Sequence, residues 1–405
     1  MFLTNEEEEI LKGKEGLAKK FAMEILIKVG NLFRAKRLIP IKYAHVHGHY
    51  GSLHDAGMEI IEKFASLGAK YSVPTTINPS SISVEGTEIS IPNEYAEKQK
   101  RLRIAHEVMG VYPNWSCCPY YVVFPMFGDC IAWAESSAVV YANSVIGART
   151  NRMSTGLEIA ASIIGKIPEF GLYITENRFP KIEIEIKIKN LYDEDFHALG
   201  YLLGKLCERK VPFIKGISGK ITLDDLKALG ASAASSGALE LYHIENITAE
   251  VKGGLFNIKK RKLEKKFTIT KEDLKKVKQK ISTTSGEVNI VMLGCPHYSV
   301  EEMKKLVKLI KGRKISNNLP LWVYTSSRVK AICRGLGILK LLRKSNVKVI
   351  SGTCPVISPL NLLNIRSIMV NSAKAANVIP SEHNIDVAFA STQECVNTAI
   401  LGRRL

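Results

Sequence analysis

Hydrophobic positions change their period repeatedly along this chain. Short, nearly continuous apolar runs at Ile39–His45, Ile182–Ile188, Leu239–His243, Val288–Leu293, Leu321–Tyr324, Val347–Ile350 and Ser367–Val370 predict strands. Between them, 56–68, 94–109, 193–209, 222–234, 270–280, 299–311 and 391–402 carry the apolar stripe of amphipathic helices. Thr4-Asn5-Glu6-Glu7 fits a capping box and opens a helical region running with breaks to about Lys36. Such alternation predicts an α/β fold of several domains, with mostly parallel sheets flanked by helices. The lysine-rich stretch 252–286, ending in Ser282-Thr283-Thr284-Ser285-Gly286, reads as a linker. It would divide a larger α/β unit, 1–280, from a smaller one, 281–405.

Composition narrows the class. With 405 residues, 46% hydrophobic and 24% charged, the chain can bury a large core and is neither disordered nor fibrous. The longest apolar stretches, such as Ser137–Ile146, are broken by Ser and Asn and fall short of the roughly 20 residues that span a bilayer. Glutamates follow Met1-Phe2-Leu3-Thr4-Asn5 where a secretory signal would be positive, so a cytoplasmic protein is expected. The net charge of +18 is concentrated: 252–348 holds 25 basic and 6 acidic residues, and the remainder 32 and 33. That region suits a solvated lysine face, or attraction of an anionic substrate or an acidic protein partner. Nucleic acid ranks last, because few aromatics accompany the charge and no recognition motif is present. A basic, non-catalytic scaffold binding RNA or protein is the alternative of a different class.

Eight cysteines without a C-x-x-C exclude a disulfide scaffold, a zinc ribbon and a thioredoxin-like motif. Three of them precede proline, Cys118-Pro119, Cys295-Pro296 and Cys354-Pro355, where chance pairing would give about 0.3. The last two each follow an apolar strand, and open α/β sheets bind ligands beyond the carboxyl ends of their strands. Three solitary thiolates from distant loops can hold an iron–sulfur cluster whose remaining iron lacks a protein ligand and acts as a Lewis acid. Zinc on three cysteines is the competing metal. Plain burial is the third possibility, and it suits Cys130, Cys207, Cys333 and Cys395.

Polar strings supply further candidates. Glu135-Ser136-Ser137 and Asn143-Ser144 have helical spacing, and Gly147-Ala148-Arg149-Thr150-Asn151-Arg152 is a donor-rich turn. Two arginines three positions apart suit a carboxylate or phosphate clamp, or else a helix cap held by ion pairs. Thr75, Thr76 and Asn78 lie in a loop stiffened by Pro74 and Pro79, which is either a turn or a set of substrate donors. Among His45, His47, His49 and His54, one or two are expected to hydrogen-bond a substrate, and His297 similarly near Cys295.

The strings Ala44-His45-Val46, Val73–Asn78, Trp115-Ser116-Cys117-Cys118-Pro119-Tyr120, Ile131–Ser136, Val140–Arg152, Glu176-Asn177-Arg178, Leu293–Tyr298, Thr353-Cys354-Pro355 and Asn371-Ser372-Ala373-Lys374 together resemble the aconitase X family over nearly the whole chain. The resemblance implies an aconitase-superfamily-like fold and a hydro-lyase. It implies a 4Fe–4S cluster on Cys117, Cys295 and Cys354, with Cys118 the fallback because the family pattern Trp-Thr-Cys-Ala-Pro aligns its ligand with Cys117. Ala373 stands where the family has Gly. Archaeal members carry a small swivelling domain as a separate subunit, and the family's catalytic serine lies on it. A chain ending at Leu405 would therefore form a heterodimer and receive its base from the partner. The implied substrate is a phosphorylated hydroxy acid, 5-phosphomevalonate, dehydrated to trans-anhydromevalonate phosphate; another hydroxy acid such as cis-3-hydroxyproline is the alternative. Expected substrate contacts are Thr75, Thr76, Asn78, Glu135, Ser136, Asn143, Ser144, Arg149, Thr150, Asn151, Arg152, His297 and Lys374.

Overall fold

The structure, a computed structural model, describes residues 1–83, 91–254 and 263–404. Toward the N-terminus lie β1 (Leu38–Pro40), β2 (Ala44–Val46), β3 (Thr75–Ile77), β4 (Ala132–Trp133) and β5 (Lys166–Pro168). β3-β2-β4 is a parallel sheet, and β1 pairs antiparallel with β5. The middle of the chain gives a second parallel sheet, ordered β8-β7-β6-β9, from β6 (Ile182–Ile186), β7 (Pro212–Lys215), β8 (His243–Ile244) and β9 (Lys265–Ile269). The third is also parallel, ordered β12-β11-β10-β13-β14, from β10 (Ile290–Tyr298), β11 (Leu321–Thr325), β12 (Val347–Ser351), β13 (Ser367–Val370) and β14 (Asp386–Phe389).

The sequence patterns explain these roles. β10 is buried along its whole length, as a central parallel strand covered on both faces must be, and its apolar run reflects that. β6 alternates Ile182, Ile184 and Ile186 inward with Glu183 and Glu185 outward, where lysines of β7 and β9 pair with them. The helices Asp193–Cys207 and Leu223–Gly237 press together through small residues: a Cβ on Gly237 would lie 1.8 Å from the Gly204 carbonyl oxygen. No described helix is long and apolar enough to cross a membrane.

Most expected elements are present, with instructive differences. Ile39–His45 is two strands, β1 and β2, in different sheets. The capping box at Thr4 is present: Thr4 Oγ1 accepts from the Glu7 amide and Glu7 accepts from the Thr4 amide. The stretch 252–286, read as a linker, contains β9 and the helix Lys271–Lys280. Ile269, Leu274 and Val277 turn inward while the lysines face solvent, so a few apolar anchors suffice where charge dominates the composition. The basic tetrad Lys259-Lys260-Arg261-Lys262 lies outside the described residues.

Candidate functional site

A cavity of about 1030 Å³ opens where the carboxyl ends of two parallel sheets meet. From the first sheet, β2 runs into His47 and His49, β3 into Asn78, and β4 into Glu135 and Ser136. From the third, β10 delivers Cys295, β12 leads to Cys354, and β13 leads to Lys374. Cys117 enters on the loop after the first sheet's edge, and Arg152 and Arg209 line the cavity from the middle of the chain. Side chains that follow parallel strands converge in this way because every strand points toward the same end of its sheet.

The three cysteine loops are fastened to each other behind the cavity by one histidine. His297 Nε2 lies 2.8 Å from the Thr353 carbonyl, which can only accept, so the proton sits on Nε2. Nδ1 therefore accepts from the Ser116 hydroxyl at 3.0 Å, and Ser116 Oγ in turn accepts from the Cys118 amide at 3.1 Å. The His297 amide donates to Cys117 Sγ at 3.3 Å. Burial lowers the His297 pKa to about 4, keeping the ring neutral in this role. Gly294 permits the turn into Cys295: its φ is +103°, and a Cβ there would sit 2.2 Å from the Tyr324 carbonyl oxygen.

The thiols differ in their readiness to ionise. Burial opposes ionisation of Cys117, but the Cys118 thiol, Lys374 and the His297 amide hold its pKa below the ordinary thiol range. Burial pushes Cys295 up to about 12, and it raises Cys354 well above the usual range with help from Cys295 and Cys117. Without a cation the Cys295 and Cys354 sulfurs favour the protonated form, and a cationic group among them would reverse that preference. Among the described residues no three His, Cys, Asp or Glu side chains are grouped as ligands of a single ion. Three thiols lining one cavity are the donor type that an iron–sulfur cluster takes, and zinc also.

Beside the thiols, Lys374 Nζ reaches Glu135 Oε1 at 2.5 Å and Ser136 Oγ at 3.4 Å. Glu135 Oε1 also accepts from the Ser137 amide and hydroxyl at 3.1 and 2.7 Å. Burial penalises both charges, yet each stabilises the other: Glu135 is held below the carboxylate range and Lys374 above the ammonium range. Two further cavity atoms, Asn78 Nδ2 and His49 Nδ1, are buried and have no hydrogen-bond partner among the described residues. Asn78 Oδ1 lies 2.9 Å from His45 Nε2, a contact that leaves Nδ2 without a partner among the described residues.

Of the expected contacts, the cavity brings together Asn78, Glu135, Ser136, Arg152, Lys374, Cys117, Cys295 and Cys354. The others serve different partners and do not line it. Thr75 donates to the Val73 carbonyl, and Thr76 packs on His45. Asn143 donates to the Thr150 and Glu240 carbonyls and accepts from the Thr150 amide. Ser144 accepts from the Tyr242 amide, Thr150 Oγ1 from the Trp133 amide, and Asn151 Oδ1 from the Leu172 amide. Arg149 donates to the Tyr173 carbonyl at 2.7 Å, and His297 has both ring nitrogens engaged. Cys118 lies outside the lining, its sulfur 3.9 Å from Cys117 Sγ and bonded to the Tyr120 hydroxyl. Sequence reasoning missed Arg209, Ser235, Ser236 and His383 at the wall. A lone arginine after a helix and two serines in an alanine-rich helix end carry no signal of their own.

Three sequence families partition the chain in order: the aconitase X first domain matches residues 1–176, the second 180–279 and the third 288–401. The chain belongs to the aconitase X family. It is 39% identical over 403 residues to the phosphomevalonate dehydratase large subunit of Methanocaldococcus jannaschii, covering 97% of this chain and 99% of that one. The protein of the same name from Thermococcus kodakarensis is 39% identical over 378 residues, 93% of this chain and 94% of that one. A cis-3-hydroxy-L-proline dehydratase of Pseudomonas aeruginosa is 31% identical over 98% of this chain and 70% of that protein. The crystal structure of Thermococcus kodakaraensis aconitase X in its holo-form superposes with a TM-score of 0.91 at 36% identity, covering 98% of this chain and all of that one. The α/β architecture of this aconitase X chain is thus shared along nearly its full length.

Proposed function

We propose that this chain is the large subunit of a phosphomevalonate dehydratase, a hydro-lyase that converts (R)-5-phosphomevalonate to trans-anhydromevalonate 5-phosphate and water. The observation that carries the reading is the convergence of Cys117, Cys295 and Cys354 on one cavity beside the Lys374–Glu135 pair. The names of its relatives at 39% identity support the substrate. Cys117, Cys295 and Cys354 would hold a 4Fe–4S cluster. Bound there, such a cluster supplies Lewis-acid activation of a hydroxyl group that is to leave as water.

The chain's own residues do the rest. Lys374, kept cationic by Glu135, is placed to bind a substrate carboxylate and to stabilise charge that grows on its oxygens as a proton leaves the neighbouring carbon. The free Asn78 Nδ2 and the Ser136 hydroxyl are donors on the same wall, available to orient that carboxylate. Arg152 offers a planar fork suited to phosphate oxygens. Glu135 is committed to Lys374 and is not assigned as the proton acceptor. The base is assigned to a serine of a small swivelling subunit, which would close over the cavity.

The test is anaerobic reconstitution with iron and sulfide, followed by turnover of (R)-5-phosphomevalonate with a small subunit supplied. Release of trans-anhydromevalonate 5-phosphate, absent with C295A, is expected. Dehydration of cis-3-hydroxyproline instead, or full activity of C295A, would overturn the reading.

A further inference from the structure

Behind the cysteine loops, away from the cavity lining, lies a buried cation that the reading above does not use. Lys227 projects from the helix Leu223–Gly237 and is only 3% exposed. Its ammonium contacts Glu302, Asp224 at 2.9 Å, the Tyr121 hydroxyl at 3.3 Å and the His297 carbonyl at 3.2 Å. Taking an ammonium out of water costs several kcal/mol unless charge and hydrogen bonds replace the lost hydration. Glu302 and Asp224 provide that, and Ser299 ties them together: its amide donates to Glu302 and its hydroxyl to Asp224, each at 2.7 Å.

The carboxylates already answer the charge, so the contact with the His297 carbonyl has a separate consequence. His297 is the residue whose ring joins the loops of Cys117 and Cys354 and whose amide donates to Cys117 Sγ. Fixing its carbonyl fixes the backbone from which both of those bonds are made. The cluster also gathers Tyr121, Lys227 and Glu302, which fall in the stretches matching the first, second and third aconitase X domains.

We propose that Lys227 is a positioning residue for the three-cysteine cradle, holding the His297 backbone so that its amide and ring keep the cysteine loops in register. This rests on the assignment of Cys117, Cys295 and Cys354 to one cluster. Because K227M alone would leave two half-buried carboxylates without their ammonium, the variant of choice is K227M/E302Q. It leaves one, Asp224, still accepting from the Ser299 hydroxyl, and the neutral amide replacing the Glu302 carboxylate can still accept from the Ser299 amide. Iodoacetamide labelling of Cys117 in the metal-free protein, mapped by mass spectrometry against buried Cys207, reads the cradle without iron. After reconstitution, loss of iron to a chelator reads it with the cluster present. The variant should melt close to wild type, label faster at Cys117 but not at Cys207, and lose iron about ten- to a hundredfold faster, the range typical of partners one shell removed from a metal. A folded variant with unchanged labelling and iron retention would overturn the proposal. Should K227M/E302Q not fold, K227R keeps the charge but seats a longer, planar head, and the same two outcomes decide. Failure of the wild-type protein to take up iron would sink the cluster assignment, while the labelling comparison would still judge Lys227.

Discussion

Two polar regions lie in the interior on either side of Glu135–Arg152. In one, the run Asn143–Asn151 wraps around Arg178, which is fully buried and donates to Glu250, to Asn143 Oδ1 and to the carbonyls of Leu172, Asn143 and Ala148. In the other, Asn78, His49, Glu135, Ser136 and Lys374 face an open cavity, and two of their nitrogens have no partner among the described residues. Both are rich in donors and both are hidden from bulk water. The first spends every Arg178 donor on protein acceptors and so fixes a fold. The second leaves donors free and so can bind something. Residue type does not separate structure from chemistry here; whether the donors are already spent on protein acceptors does.

The contrast can be broken from the structural side first. R178M should leave Glu250 buried and unpaired and cost about 3–5 kcal/mol of stability, measured by chemical denaturation. On the cavity side, K374M combined with E135Q removes a balanced pair, so the melting temperature should hold. Turnover should fall about a hundred- to a thousandfold, the loss expected when a charge-stabilising donor is removed. Equal losses of stability in both variants would erase the distinction between the regions.

Acid sharpens the same comparison. His243 donates from Nε2 to the Arg178 carbonyl, and burial lowers its pKa from 6.5 to about 4. Above 6.5 the ring is neutral in both folded and unfolded chains; as pH falls toward 4 only the unfolded chain takes up the proton. Its contribution, on the order of 3 kcal/mol, is therefore present above pH 6.5 and lost on acidification. Denaturant midpoints measured across that range should drop for wild type and drop less for H243Q. The smallest effect is expected at Thr75, whose hydroxyl donates to the Val73 carbonyl: T75A should cost about 1 kcal/mol and leave turnover unchanged. A large loss of activity in T75A would return that hydroxyl to the site.

This also shows what the sequence could and could not convey. Strand β10 was legible because a parallel strand buried on both faces is written as an unbroken apolar run, and the shorter apolar runs of β11 to β13 marked them too. β4 and β8 were harder, being two residues long and set by their neighbours rather than by their own pattern. β9 was masked by lysines that only decorate its outer face, whereas the helix after it showed its apolar stripe at 270–280 despite them. At the site, Cys295 and Cys354 could be located because one lies within and the other just beyond a readable strand. Thr76, Asn143 and Arg149 look like substrate donors on paper because a list of residues does not show which carbonyls already occupy them. Conversely, Arg209 and Ser236 join the cavity only through the packing of the helices Asp193–Cys207 and Leu223–Gly237, which no local motif records.

His297 and its neighbours carry a lesson about timing. The sulfur donors come from the early part of the chain and from two late crossovers, and the knot that aligns them needs all three contributions at once. During synthesis, a ribosome-bound fragment can offer stray copper or zinc one thiol from this trio until Cys295 emerges and two until Cys354 does. A cluster held by all three, as proposed, could load only once translation of the fold is essentially done, which would make its acquisition a checkpoint on completeness rather than an early scaffold for folding.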